Sequence, residues 1–147
     1  MQTFLPYADF SYSASCLDQK RLGKQRVEVY QIYTTLLCGG RWQNHPAVKM
    51  WDGHKWALTQ YGIAICKEWI SRGYNDSLLE KFKFFEKEEY KHEKNYYYPS
   101  WLNDKSFHSA HRSILLAKNY DWYKQFNWNE NPAVKNDKGR WPYIWPV

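Results

Sequence analysis

The sequence predicts an all-α fold, a compact three-helix core with a long aromatic-rich irregular C-terminal segment. Two observations predict it. Three long stretches repeat apolar residues at three- and four-residue spacing, and each has start and stop residues at its ends. No stretch of useful length alternates as a strand would, the closing YIWPV excepted. The tail that begins DWYKQFNWNE holds no sustained period and is loaded with Trp, Tyr and Pro. With 147 residues the chain has one domain's worth of material, so a single domain over 1–147 is expected, with 75–98 as a charged insertion.

The first helix is LDQKRLGKQRVEVYQIYTTLLCGG, from an Asp18 cap to a stop at Gly39 and Gly40. Its apolar stripe is Leu22, Val29, Tyr33 and Leu36. Arg26 falls inside that stripe, Gln25 and Asp18 at its edge, and Glu28 on the flank with Arg21 and Ile32. A charge on a core-facing stripe is costly unless it is paired or faces a wet cavity. Two readings follow: an internal salt bridge, or a polar site lined by the Arg, Gln and Glu side chains. The second is the sharper expectation.

Pro46 then opens a second helix, which runs to Gly73 with the stripe Trp51, His54, Leu58, Tyr61, Ile65 and Trp69. Gly53 and Gly62 either interrupt this rod or let another helix cross it closely. His54 reads first as a hydrogen-bonded core histidine, and with His45 it is a secondary site candidate. The run KFKFFEKEEYKHEKNYYY reads as a solvated helix or an excursion anchored by Phe82 and Phe85, with no chemistry assigned. Asp104 caps a third helix, DKSFHSAHRSILLAKN, whose lines are Phe107, His111, Ile114, Lys118 and His108, Arg112, Leu115. SAHRS gathers hydroxyls, an imidazole and a guanidinium on about one turn, as phosphate contacts require; a polar exposed turn reads equally well.

Bulk composition narrows the partner. Aromatic residues make up 20% of the chain, with nine Trp and thirteen Tyr, which suits surfaces that stack on flat ligands. A net charge of +6 and a pI near 9.1 favour a polyanion, so nucleic acid is the first expectation. Cys16, Cys38 and Cys66 form no CxxC and no even set, which points to a reducing, cytoplasmic setting. MQTFLPYADF lacks a signal-peptide pattern, and no segment approaches the roughly 18 apolar residues of a membrane span. No membrane partner is expected, and a monomer is. Phosphate-loop, dinucleotide, HExxH and GxSxG motifs are absent, as is any His/Cys metal cluster. Metal-free, cofactor-free acid–base or amine chemistry is therefore expected.

The strings MQTFLPY, LDQKRLGKQRVE, HPAVKMW, ICKEWISRGY, FHSAHRSILLAKN and PYIWPV resemble the pyrimidine dimer DNA glycosylase family of the phage endonuclease V type, in its branch of small bacterial and phage proteins. The resemblance spans nearly the whole chain outside roughly 75–95. It implies an all-α enzyme that excises a base extruded from duplex DNA through an imine between an N-terminal amine and sugar C1′. It further implies Glu28 as acid/base, Met1 as the amine, and Arg21, Arg26 and Arg112 as phosphate ligands. Trp122 and Tyr123 would belong to an aromatic segment beside the DNA. Gln25, His111 and Lys118 complete the DNA- or phosphate-binding candidates. Here Val27 separates Arg26 from Glu28, which turns the carboxylate one helical step from the family spacing, and Gln2 follows Met1. The function expected is a repair or base-excision N-glycosylase, with or without lyase activity. The alternatives are a non-catalytic module of the same fold that holds a nucleotide or modified base, and a cationic surface that recognises a host protein.

Overall fold

The computed structural model describes residues 1–92 and 97–147. Its regular elements are helices α1 (Phe10–Cys16), α2 (Gln19–Cys38), α3 (Pro46–Lys49), α4 (Lys55–Ser71), α5 (Leu79–His92), α6 (Lys105–Lys118) and α7 (Tyr120–Tyr123). Short 3₁₀ turns lie at Ser100–Asn103 and Lys124–Phe126. Among the described residues there is no strand, and YIWPV forms none. The fold is all-α, as the periodicity predicts.

The predicted ends of α2 hold, with Asp18 at the N-cap and Gly39 at φ 73° closing the helix. Asp18 makes no capping bond, however. Its carboxylate accepts from the Tyr123 hydroxyl and from Arg21. Pro46 does start a helix, but the predicted rod breaks after one turn: residues 50–54 form a turn with Gly53 at φ 80°, and α4 restarts at Lys55. α1 escapes the sequence pattern because it is short and carries Ser and Ala rather than a large apolar stripe. Asp9 starts it by accepting the Tyr12 amide at 2.7 Å. Asp104 caps α6 as expected, accepting the Ser106 amide at 2.9 Å.

α4 is the central helix, packed by α1, α2 and α5. Leu58, Tyr61 and Ile65 of its stripe are fully buried with Trp51, each worth on the order of 1.5–3 kcal/mol relative to exposure. α5 crosses so closely at Gly62 that a Cβ there would lie 2.9 Å from the Phe82 ring. Phe82 is buried and Phe85 stacks on Tyr33 with centroids 4.3 Å apart, so both anchor α5. Residues 93–96 of the charged stretch lie outside the described residues.

α6 reaches this core through residues 2–6, an extended segment that is buried although it joins no helix or sheet. A buried peptide group left unpaired costs about 1–3 kcal/mol, so side chains must serve this one. The Phe4 amide donates to Gln25 Oε1 at 2.8 Å, and the Leu5 amide to His111 Nδ1 at 3.0 Å. Gln25 Nε2 donates to the Gln2 carbonyl at 2.6 Å, and the Tyr61 hydroxyl to that of Phe4 at 2.6 Å. His108 Nδ1 lies 2.8 Å from the Leu5 carbonyl, and Arg112 Nη1 donates to that of Pro6 at 2.7 Å. This is why α2, α4 and α6 carry buried polar residues.

The irregular tail packs over the helices. Trp128 stacks on Tyr123, and its indole N–H donates to the Tyr7 hydroxyl at 2.7 Å. Further on, Tyr143 packs against Phe4 and His111, and Trp145 against His45. The end of the described chain therefore lies beside its beginning.

Candidate active site

The period of α2 puts Arg21, Lys24, Gln25 and Glu28 on one face, with Lys20 beside them. That face, the extended segment, the last turn of α6 and the returning tail enclose a cavity of about 350 Å³, at the low end of the roughly 300–1,000 Å³ typical of small-molecule sites. Met1, Gln2, Lys118, Trp141 and Tyr143 also line it. Four basic side chains (Lys20, Arg21, Lys24, Lys118) thus surround one carboxylate, Glu28, with the rings of Phe4, Trp141 and Tyr143 at the wall.

Glu28 is fixed from two sides. Its Oε2 accepts the Gln2 amide at 3.1 Å and Gln25 Nε2 at 3.1 Å. Gln25 is itself buried and held by Gln2, Phe4 and Tyr61, so the carboxylate stands on a rigid base. Arg21 is steadied by Asp18 at 3.2 Å, which the buried Tyr123 hydroxyl holds from beneath. Lys118 lies over the Trp141 ring, 5.2 Å from its centroid, and Lys135 lies 5.0 Å from the same ring.

The surroundings tune the ionisable groups. Partial burial holds Lys118 below the usual lysine range. Arg21, Lys135 and Lys24 push the same way, and Glu28 opposes them. Burial pushes the Tyr143 phenol up, so it stays a hydroxyl donor. His45 is lowered by burial and then by the Met1 ammonium, again against Glu28. Its Nδ1 accepts the Ala47 amide at 3.0 Å, which leaves the proton on Nε2. Cations here can hold phosphates, while amine and carboxylate can share proton transfer. Among the described residues no group of three His, Cys, Asp or Glu could hold a metal ion, and no helix is long and apolar enough to cross a membrane.

The structure brings Met1, Arg21, Gln25, Glu28 and Lys118 together, leaves His45 close enough to feel Met1 and Glu28 without lining the cavity, and sets the remaining candidates apart. Arg26 pairs with Asp76 through Nε at 2.7 Å and Nη2 at 2.6 Å, its guanidinium lying over Trp69. For Arg26 the internal salt bridge is therefore the arrangement found. Burial alone would raise Asp76, but the Leu79 amide, Arg26 and the Leu78 amide hold it below the usual carboxylate range. Arg26 borders a separate open groove of about 690 Å³ on the other side of α2, whose rim includes Lys20, Lys24, Trp69 and Trp122. Arg112 grips Glu130 at 2.8 Å and the Pro6 carbonyl, a strap between tail and extended segment.

His111 is wholly buried beneath Leu5, and Tyr123 is wholly buried, leaving no ring face open to a base. Trp122 is half-buried, its indole N–H donating to the Cys16 carbonyl at 2.8 Å. His54 is half-buried at the start of α4, with Tyr97 6.2 Å away. Phe4, Trp141 and Tyr143 were not foreseen as lining residues, because neither the docking of residues 2–6 nor the tail's return over α2 leaves a local signal. Lys20 and Lys24 also line the cavity, and nothing in the sequence singled out either of them. A family model described as pyrimidine dimer DNA glycosylase matches residues 1–81, which include Met1, Lys20, Arg21, Lys24, Gln25 and Glu28 but not Lys118, Trp141 or Tyr143. No curated protein and no solved structure matches the chain.

Proposed function

The chain belongs to the pyrimidine dimer DNA glycosylase family, and from that premise we propose that its α2 cavity excises a damaged or modified base extruded from duplex DNA. The observation that carries the reading is the contact between Glu28 Oε2 and the Gln2 amide, 3.1 Å apart, with Met1 in the same cavity. An imine-forming amine and its acid/base partner must reach one sugar carbon, and a carboxylate bonded one residue from the amine supports that requirement.

In this reading the duplex lies on the cationic face, where Lys20, Arg21 and Lys24 meet phosphates on either side of the extruded nucleotide. The Met1 amine attacks C1′. The bond from C1′ to the base breaks, its electron pair leaves with the base nitrogen, and the base then takes up a proton. Glu28 accepts the proton released by the attacking amine and returns it to O4′ as the sugar ring opens, which leaves C1′ as an imine. Hydrolysis of that imine restores the amine, whereas elimination at C2′ and C3′ would cut the strand.

The experiment is reduction with borohydride in the presence of duplexes carrying a pyrimidine dimer or an abasic site. A covalent protein–DNA product is expected. Glu28→Gln should lower base release by at least about a hundredfold while leaving duplex affinity nearly unchanged, since it removes the proton acceptor and keeps the shape. Unaltered base release in Glu28→Gln, or duplex binding with neither release nor trapping, would overturn the reading. The second of these outcomes would leave a binding module in its place.

A further inference from the structure

The cavity contains a second amine beside Glu28, and three features distinguish it from the other lysines there. Lys118 belongs to the last turn of α6, so its backbone is anchored while its side chain crosses into the cavity under Trp141. It is half-buried, whereas Lys20 and Lys24 are exposed. It is also crowded by Arg21, Lys24 and Lys135, with Glu28 as the opposing charge. Building on the imine chemistry proposed above, we propose that Lys118 is a second imine-forming residue, which captures the C1′ aldehyde of an abasic deoxyribose held in the cavity.

The electrostatics support that role. A helix C-terminus ordinarily favours a cation, yet burial and three neighbouring positive charges hold Lys118 below the usual lysine range. A larger fraction of its amine is therefore neutral near neutral pH, the form that attacks a carbonyl, and cationic neighbours activate lysines in this way. The surrounding guanidinium and ammonium groups would meanwhile hold the phosphates that flank the sugar.

The step balances. The Lys118 amine adds to the aldehyde carbon, and loss of water leaves a protonated imine. Glu28 takes a proton from C2′, and its electron pair forms the C2′–C3′ double bond as the C3′–O bond breaks. The 3′ phosphate leaves with that bonding pair. Water then hydrolyses the imine and restores the lysine.

The test uses the full chain with a duplex containing one abasic site, trapped with borohydride, digested and mapped by tandem mass spectrometry. The reduced adduct is expected on Lys118, alone or beside Met1. Lys118→Arg keeps the charge and the packing on Trp141 but cannot form an imine, so the total trapped product should fall by more than about tenfold if Lys118 is the main carrier. Circular dichroism and duplex affinity check that this variant is folded, and mapping the wild-type adduct decides the matter even if it is not. Adduct on Met1 or another lysine alone overturns the role of Lys118 and leaves the excision reading standing. No adduct on any residue, with binding intact, overturns both.

Discussion

Acidification should loosen this fold, and the share carried by His111 can be isolated. Its Nδ1 accepts the Leu5 amide at 3.0 Å, so the neutral ring is the only form that fits, and burial, with His108 nearby, drives it down to about 3. An unfolded chain would bind a proton there at the ordinary histidine value near 6.5. Because the folded value lies below the unfolded one, the contribution of His111 to stability is complete above about pH 6.5. It is lost as the pH falls toward 3, at about 1.4 kcal/mol per unit. From this residue alone the loss should be about 1.4 kcal/mol at pH 5.5 and about 2.7 kcal/mol at pH 4.5. Urea unfolding of the wild type and of His111→Asn across that range isolates the effect. The Asn carboxamide oxygen stands near Nδ1 as a non-titrating acceptor, and titrating groups that do not interact with His111 cancel in the comparison. Parallel pH profiles for the two proteins would refute the reasoning.

Two more outcomes follow from the charged side chains. Arg26→Ala should cost about 2–3 kcal/mol in urea unfolding, because it strips the buried Asp76 of its cation while the Leu78 and Leu79 amides still serve it. The salt dependence of duplex binding should not change, and a loss below about 0.5 kcal/mol or a shallower salt slope would contradict the structural placement of Arg26. If Lys20 and Lys24 each neutralise one phosphate, their joint replacement by Ala should reduce the slope of log affinity against log salt by about 2, read by fluorescence anisotropy. A slope equal to that of the wild type would remove both from the DNA interface.

The helices that carry their own ends were legible. α2 and α6 have long apolar stripes between Asp18 and Gly39 and after Asp104, and local chemistry decides such elements. Gly53 marked a break that periodicity alone ran across, since a φ of 80° is invisible to an apolar count. Within the site, the misplaced charges on α2 were rightly read as needing partners, but the partners could not be assigned. Gln25 and Glu28 found the extended segment, and Arg26 found Asp76, 50 residues away. The family resemblance implied Tyr123 as a ring beside the DNA, yet its hydroxyl is spent on Asp18, 105 residues earlier. Sequence spacing reports neighbours along a helix and carries no information on which distant group completes a buried polar contact.

The extended segment also sets an order of events. Its ties to α6 span 103 to 106 residues, so they close only after most of the chain has left the ribosome. Contacts so distant in sequence bear the largest loop-closure entropy and are expected late in folding. Residues 2–6 therefore wait on Gln25 and Tyr61 until His108, His111 and Arg112 arrive, and the cavity wall made by Trp141 and Tyr143 follows them. A half-made chain carries the amine and the carboxylate but no enclosure around them. The imine chemistry proposed for this cavity would thereby wait until α6 and the tail have packed onto it.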